Sequence, residues 1–110
     1  MKLPNVANAV VSREKITGYL LSATHPTGRH KAKFFASLGF SVESWGILVE
    51  ALVRHASTHE ITKVESTPFG MRYIIDGSLE TPCGRKPSVR VVWFVERGER
   101  FPRLVTAYAR

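Results

Sequence analysis

Cysteine is almost missing: Cys83 stands alone in 110 residues, so no internal disulfide can staple the fold. No four Cys and His residues have the spacing of a structural zinc site, which removes metal scaffolds as well. Long hydrophobic runs are missing too. The longest, such as Val91 to Val95, falls far short of the roughly 20 residues that span a bilayer. The N-terminal MKLPNVANAVVSREK lacks the apolar stretch of about 7–15 residues that marks a secretory signal, so the expected compartment is the cytoplasm, with no membrane partner. No P-loop, G-x-S-x-G, H-E-x-x-H or dinucleotide fingerprint is present, so no metal or cofactor is expected.

Acidic residues are scarce. Sixteen Lys and Arg face nine Asp and Glu, a net charge of +7. The excess is spread along the chain: seven cations against four anions through residue 60, nine against five after it. Such a balance favours an anionic partner: nucleic acid, an acidic protein or a membrane surface. With 44% hydrophobic residues in a chain of this length, the composition is that of one packed domain covering residues 1–110.

Patterning divides that domain into a helical half, about 12–59, and a sheet half, about 61–109. Residues 3–11 read as an extended lead-in. Ser12 can cap a first helix, Arg13 to Ser22. His25-Pro26-Thr27-Gly28 is a break, with Gly28 freeing the backbone. A second helix runs from about Arg29 to Leu38 and stops at Gly39. A third opens at Ser41, carries Trp45, Leu48, Val49, Leu52 and Val53 as an apolar stripe, and ends near Ser57 to His59. Four strands follow, Ile61–Thr67, Met71–Leu79, Ser88–Glu96 and Arg103–Ala109, joined by turn-forming segments. Helices followed by hairpin-linked strands give an α+β fold, about three helices packed on a four-stranded antiparallel sheet.

Two constellations carry chemistry. His25, Arg29, His30 and Lys31 cluster around Gly28 at a helix start, where free N–H groups and the helix dipole favour an anion. Their functional reading is phosphate or RNA-backbone binding, with a histidine to move a proton; the plainer reading is a solvated turn. On the sheet, Arg90 sits inside the most apolar strand, sharing a face with Val92 and Phe94. Arg72 and Asp76 share a face of their strand. Regular alternation puts Leu104, Thr106 and Tyr108 on one face of the last strand and Arg103, Val105 and Ala107 on the other. A structural ion pair with Asp76 or Glu80 is the plain account of Arg90 and Arg72. Convergence of Arg72, Arg90, Thr106 and Tyr108 on one exposed face is the functional one. Trp45 and Trp93 read as core. Cys83 reads as a solvent-facing loop thiol. His55 and His59 read as two exposed histidines whose charged form the end of the third helix favours.

The runs LPNVANAVV, YLLSATHPTGRHKAKFFASLGF and FGMRYIID…SVRVVWFVERGERFPRLVTAYAR, spanning Leu3 to Tyr108, resemble an uncharacterised bacterial domain family. Its members occur as stand-alone proteins and as C-terminal toxin cassettes of polymorphic toxin systems. The order of elements is also similar to the barnase/EndoU/colicin/RelE ribonuclease superfamily. The resemblance implies a metal-independent ribonuclease toxin that cleaves RNA, tRNA being one candidate class, through a 2′,3′-cyclic phosphate. It also implies a small cognate antitoxin or immunity protein as partner. Family motif positions fall on His25, Gly28, Lys31, Arg72, Arg90, Trp93, Arg103, Thr106 and Tyr108. On that reading His25 or Lys31 handles a proton, Arg72 and Arg90 stabilise phosphate charge, and Thr106 and Tyr108 position it. Arg29, His30, Lys33 and Arg103 would bind the RNA. No Glu–His pair can be placed on the late strands, which departs from the barnase pattern. A non-catalytic nucleic-acid-binding module and a protein-interaction domain are the alternatives.

Overall fold

In the computed structural model, which describes residues 1–110, the Ser12 hydroxyl accepts the Lys15 amide at 3.1 Å, capping the first helix as its sequence predicts. That helix does not run on to Ser22. After one turn of α1 (Arg13–Lys15) it widens into a π-helical segment, Ile16–Leu20. Ile16 and Leu20 go into the core, and Tyr19 is carried to the edge of the sheet. The lead-in is not wholly extended either: Val6–Asn8 forms a 3-10 turn before Val10 bridges to Arg103.

Helix α2 (Arg29–Ser37) ends as its glycine demands. Gly39 takes φ +97°, a region that L side chains avoid, and its N–H donates to the Ala36 carbonyl while that of Phe40 donates to the Phe35 carbonyl. The Phe35 and Phe40 rings close this Schellman motif edge to face, 6.1 Å apart. Helix α3 (Trp45–Thr58) starts four residues later than its cap signals predict. The Ser41 hydroxyl instead accepts the Ser44 amide, which makes a turn of the preceding residues.

The sheet runs in sequence order, β1 (Lys63–Thr67), β2 (Gly70–Ser78), β3 (Ser88–Glu96) and β4 (Arg103–Ala109), every pair antiparallel. One face carries Tyr73, Ile75, Val89, Val91, Trp93, Leu104 and Ala107, which pack against Ile16, Leu20, Phe35, Leu38, Leu48 and Leu52 from the helices. Strand β3 reads as continuously apolar because its other face also holds a buried side chain, Val92.

Strict alternation fails on β4. Val92 pairs with Thr106 but Trp93 pairs with Leu104, leaving Val105 as the extra residue of a β-bulge. Leu104 and Ala107 therefore both join the core. Arg103, opposite Phe94, moves to the face of Thr106 and Tyr108, the reverse of what a period of two predicts.

The histidines of α3 also depart from expectation. His55 is buried, 2% exposed, and its Nε2–H donates to the carbonyls of Gly77 (3.1 Å) and Val89 (3.2 Å). Burial holds this imidazole below its ordinary pKa, helped by the neighbouring His59, so it is neutral and not charged. The His59 ring stacks at 4.7 Å from it and lies against Gly77, where an added Cβ would come within 2.2 Å of the ring.

Candidate functional site

Antiparallel register sorts the face of the sheet opposite the helices into three rows. Glu65, Arg72, Phe94 and Arg103 form one row across the four strands; Lys63, Ile74, Val92 and Thr106 the next; Asp76, Arg90 and Tyr108 the third. Convergence of Arg72, Arg90, Thr106 and Tyr108 on one face is therefore what the strand pairing produces.

Arg90 and Asp76 meet in a bidentate pair, Nε to Oδ1 at 2.8 Å and Nη2 to Oδ2 at 2.9 Å, with Asp76 also taking the Arg110 Nε at 2.9 Å. The hydrogen bond from Arg90 and, secondarily, that from Arg110 hold the Asp76 carboxyl below the usual carboxylate range. Asp76 and, next, Tyr108 raise the Arg90 guanidinium above its ordinary value. The plain account of Arg90 thus holds, yet it does not exhaust the group: two cations share one carboxylate, and the cluster keeps a positive charge beside Tyr108. Arg72 pairs with Glu65 at 3.1 Å and not with Asp76; Glu80 belongs to Arg54 at 2.7 Å.

At the β4 edge the helical half reaches the sheet. The Tyr19 and Thr106 hydroxyls lie 3.2 Å apart. The Lys31 ammonium stands between two phenol rings, 5.5 Å from that of Tyr19 and 5.8 Å from that of Tyr108. Burial would raise the Tyr19 phenol, but hydrogen bonds with Thr106 and Lys31 and the charges of Lys31 and Lys15 outweigh it and leave it below its ordinary pKa. His25 lies edge-on to Tyr19 at 5.0 Å between ring centres. Its Nδ1 accepts the amides of Thr27 (3.0 Å) and Gly28 (2.9 Å), so the neutral ring carries its proton on Nε2, which donates.

Gly28 has an ordinary φ of −86°, so what it supplies is room and not backbone freedom. An added Cβ would fall 2.3 Å from the Tyr19 carbonyl oxygen and 2.9 Å from its ring. The glycine is there so that the His25 loop and the π-helical turn can touch.

His25, Lys31, Arg90, Thr106 and Tyr108 are thus brought together near the β4 edge, with Arg72 and Arg103 in the row four residues along β2 and β3 on the same face. Arg29, His30 and Lys33 lie elsewhere, around a cleft also lined by Leu21, Ala23, Ala32 and Ala36. Cys83 is exposed in the β2–β3 loop, its thiol drawn below the ordinary value first by the Thr81 hydroxyl. No three His, Cys, Asp or Glu side chains are grouped to hold a metal ion, and no helix is long and apolar enough to cross a membrane. Sequence reasoning missed Tyr19, Asp76 as the hub of two arginines, and Arg110. A polar tyrosine in YLLS beside a basic loop was the available signal for Tyr19.

The chain belongs to a family described as a domain of unknown function, DUF6883, whose model matches residues 2–110. Its fold is similar to that of a chain from a contact-dependent growth inhibition toxin–immunity protein complex of Klebsiella pneumoniae 342. The TM-score is 0.71 at 18% identity, over 92% of this chain and 99% of that one. No curated protein matches the sequence.

Proposed function

We propose that this domain is a metal-independent ribonuclease toxin restrained by a small immunity protein. The observation that carries the reading is the edge cluster of Tyr19, His25, Lys31, Thr106 and Tyr108 beside the Arg90–Asp76–Arg110 group. The shared fold with a chain of a toxin–immunity complex supports it, as does the +7 charge, which suits an RNA substrate.

Cleavage of RNA by its own 2′-hydroxyl needs a base for that proton, donors for the charge gathering on phosphorus, and an acid for the departing 5′-oxygen. In this reading the Tyr19 oxygen, held by the Thr106 hydroxyl and beside the Lys31 ammonium, takes the 2′-proton as phenolate. The 2′-oxygen bonds to phosphorus, the 5′-oxygen bond breaks, and the Lys31 ammonium supplies its proton, leaving a 2′,3′-cyclic phosphate. The His25 Nε2–H and the free N–H groups of Arg90 hold the phosphoryl oxygens, while the Thr106 hydroxyl donates to the Tyr19 oxygen and fixes its position. With its Nδ1 occupied, His25 is a donor to phosphate and leaves the choice of acid to Lys31.

The test is incubation of purified protein with total bacterial RNA in EDTA, beside Lys31→Met and Tyr19→Phe. Discrete fragments ending in cyclic phosphate are expected, reduced on the order of 10²–10⁴-fold in each variant with unchanged circular dichroism. Salt-sensitive RNA binding without cleavage would instead support a non-catalytic module, and neither binding nor cleavage would leave the protein-interaction reading.

A further inference from the structure

Phe94 has no place in the core. It lies on β3 between Trp93 and Val95, both of which pack with the helices, but its own side chain points to the opposite face and is half-buried outside the core cluster. The register sets it between two arginines, Arg72 on β2 and Arg103 on β4. Arg103 has no carboxylate partner; Arg72 shares Glu65 with Lys63, so that trio keeps one positive charge. Ile74 and Val92, both buried, lie between this row and the row of Arg90 and Tyr108. The two rows thus share one face of the sheet, and Phe94 stands four residues along the strand from Arg90, about 13 Å at the usual rise.

From this arrangement, and resting on the ribonuclease reading, we infer that Phe94 is a stacking platform for a base of single-stranded RNA flanking the scissile phosphate, with Arg72 and Arg103 holding the adjoining phosphates. An aromatic face on an open sheet suits any base, because each offers a π-surface, and flanking guanidiniums suit the backbone on either side. Charge selects this occupant over an acidic protein side chain, which would gain from the arginines but leave the ring unused. The consequence is a substrate longer than the two nucleotides that meet at the cut, unpaired over the Phe94 row.

The experiment compares a dinucleotide with a single-stranded RNA hexamer, both as substrates and as ligands. Wild-type protein, Phe94→Ala, Phe94→Trp and Arg103→Ala are assayed, with a hexamer carrying abasic nucleotides beside the cut as a further arm. Phe94→Ala is expected to lower kcat/KM for the hexamer on the order of 10- to 100-fold, through KM, while leaving the dinucleotide rate unchanged. Phe94→Trp restores the hexamer, the abasic hexamer is cleaved equally by wild type and Phe94→Ala, and Arg103→Ala flattens the salt dependence. Equal losses on dinucleotide and hexamer, or no loss on either, overturn the subsite. If no RNA is cleaved but the hexamer binds and Phe94→Ala weakens that binding, the subsite stands and the ribonuclease reading falls. Absence of both cleavage and binding overturns both.

Discussion

His25 and His55 are the same side chain put to opposite uses. His25 sits in an exposed loop with Nδ1 accepting backbone amides and Nε2–H free to meet a ligand. His55 is buried on the helix side of the sheet, one residue along β2 and β3 from the Asp76–Arg90 row, with Nε2–H consumed by the Gly77 and Val89 carbonyls. Which ring nitrogen the fold ties, and whether water reaches the other, decides the role. The residue type does not. The first histidine belongs to the candidate site and costs the fold little; the second belongs to the fold.

The largest expected effect is at His55. His55→Ala opens a cavity and strips the Gly77 and Val89 carbonyls of their donor, a loss of about 3 kcal/mol in urea unfolding. Lys31 and Tyr19 should keep their places, and activity per folded molecule should hold. Gly28→Ala comes next: its Cβ meets Tyr19 backbone, which cannot swing aside, so about 2 kcal/mol is lost and Tyr19 moves off Thr106. That variant damages fold and site together.

Acid separates the two regions further. The folded-state pKa of His55 lies below its unfolded value, so the unfolded chain takes up the proton first, and stability falls as pH drops below about 6.5, by at most about 1.4 kcal/mol per pH unit. Asp76, also lowered, withdraws its contribution only as pH falls below about 3.8 and through its folded value. Unfolding midpoints measured from pH 8 to 3 should show both steps, and His55→Leu should erase the upper one alone. The smallest change in stability is expected of His25→Ala, about 1 kcal/mol or less by thermal melting. On the proposed ribonuclease reading, RNA cleavage is nevertheless expected to fall, since the Nε2–H donor is gone.

Local signals carried most of the fold. The apolar stripe of α3, the Ser12 cap, the Gly39 stop and the turn residues between strands each act within a few positions, so they can be read from neighbours. What escaped depends on distant partners. Nothing near His55 shows that Gly77 and Val89 will present carbonyls to it, and nothing in RLVTAYA marks Val105 as an extra residue. The bulge is what places Arg103 beside Phe94, so a regular alternation hid that row altogether. Tyr19 drew no reading of its own because its meaning comes from Thr106, 87 residues later. The basic loop around Gly28 was legible as a cluster, but only the structure divides it, taking His25 and Lys31 to the sheet edge and leaving Arg29, His30 and Lys33 outside.

The edge cluster draws Tyr19, His25 and Lys31 from before the sheet and Thr106 and Tyr108 from the last strand to be made. A chain emerging from the ribosome therefore carries an incomplete set of these groups until β4 has been made, and an unfolded chain holds them apart. Folding is then the step that brings these groups together.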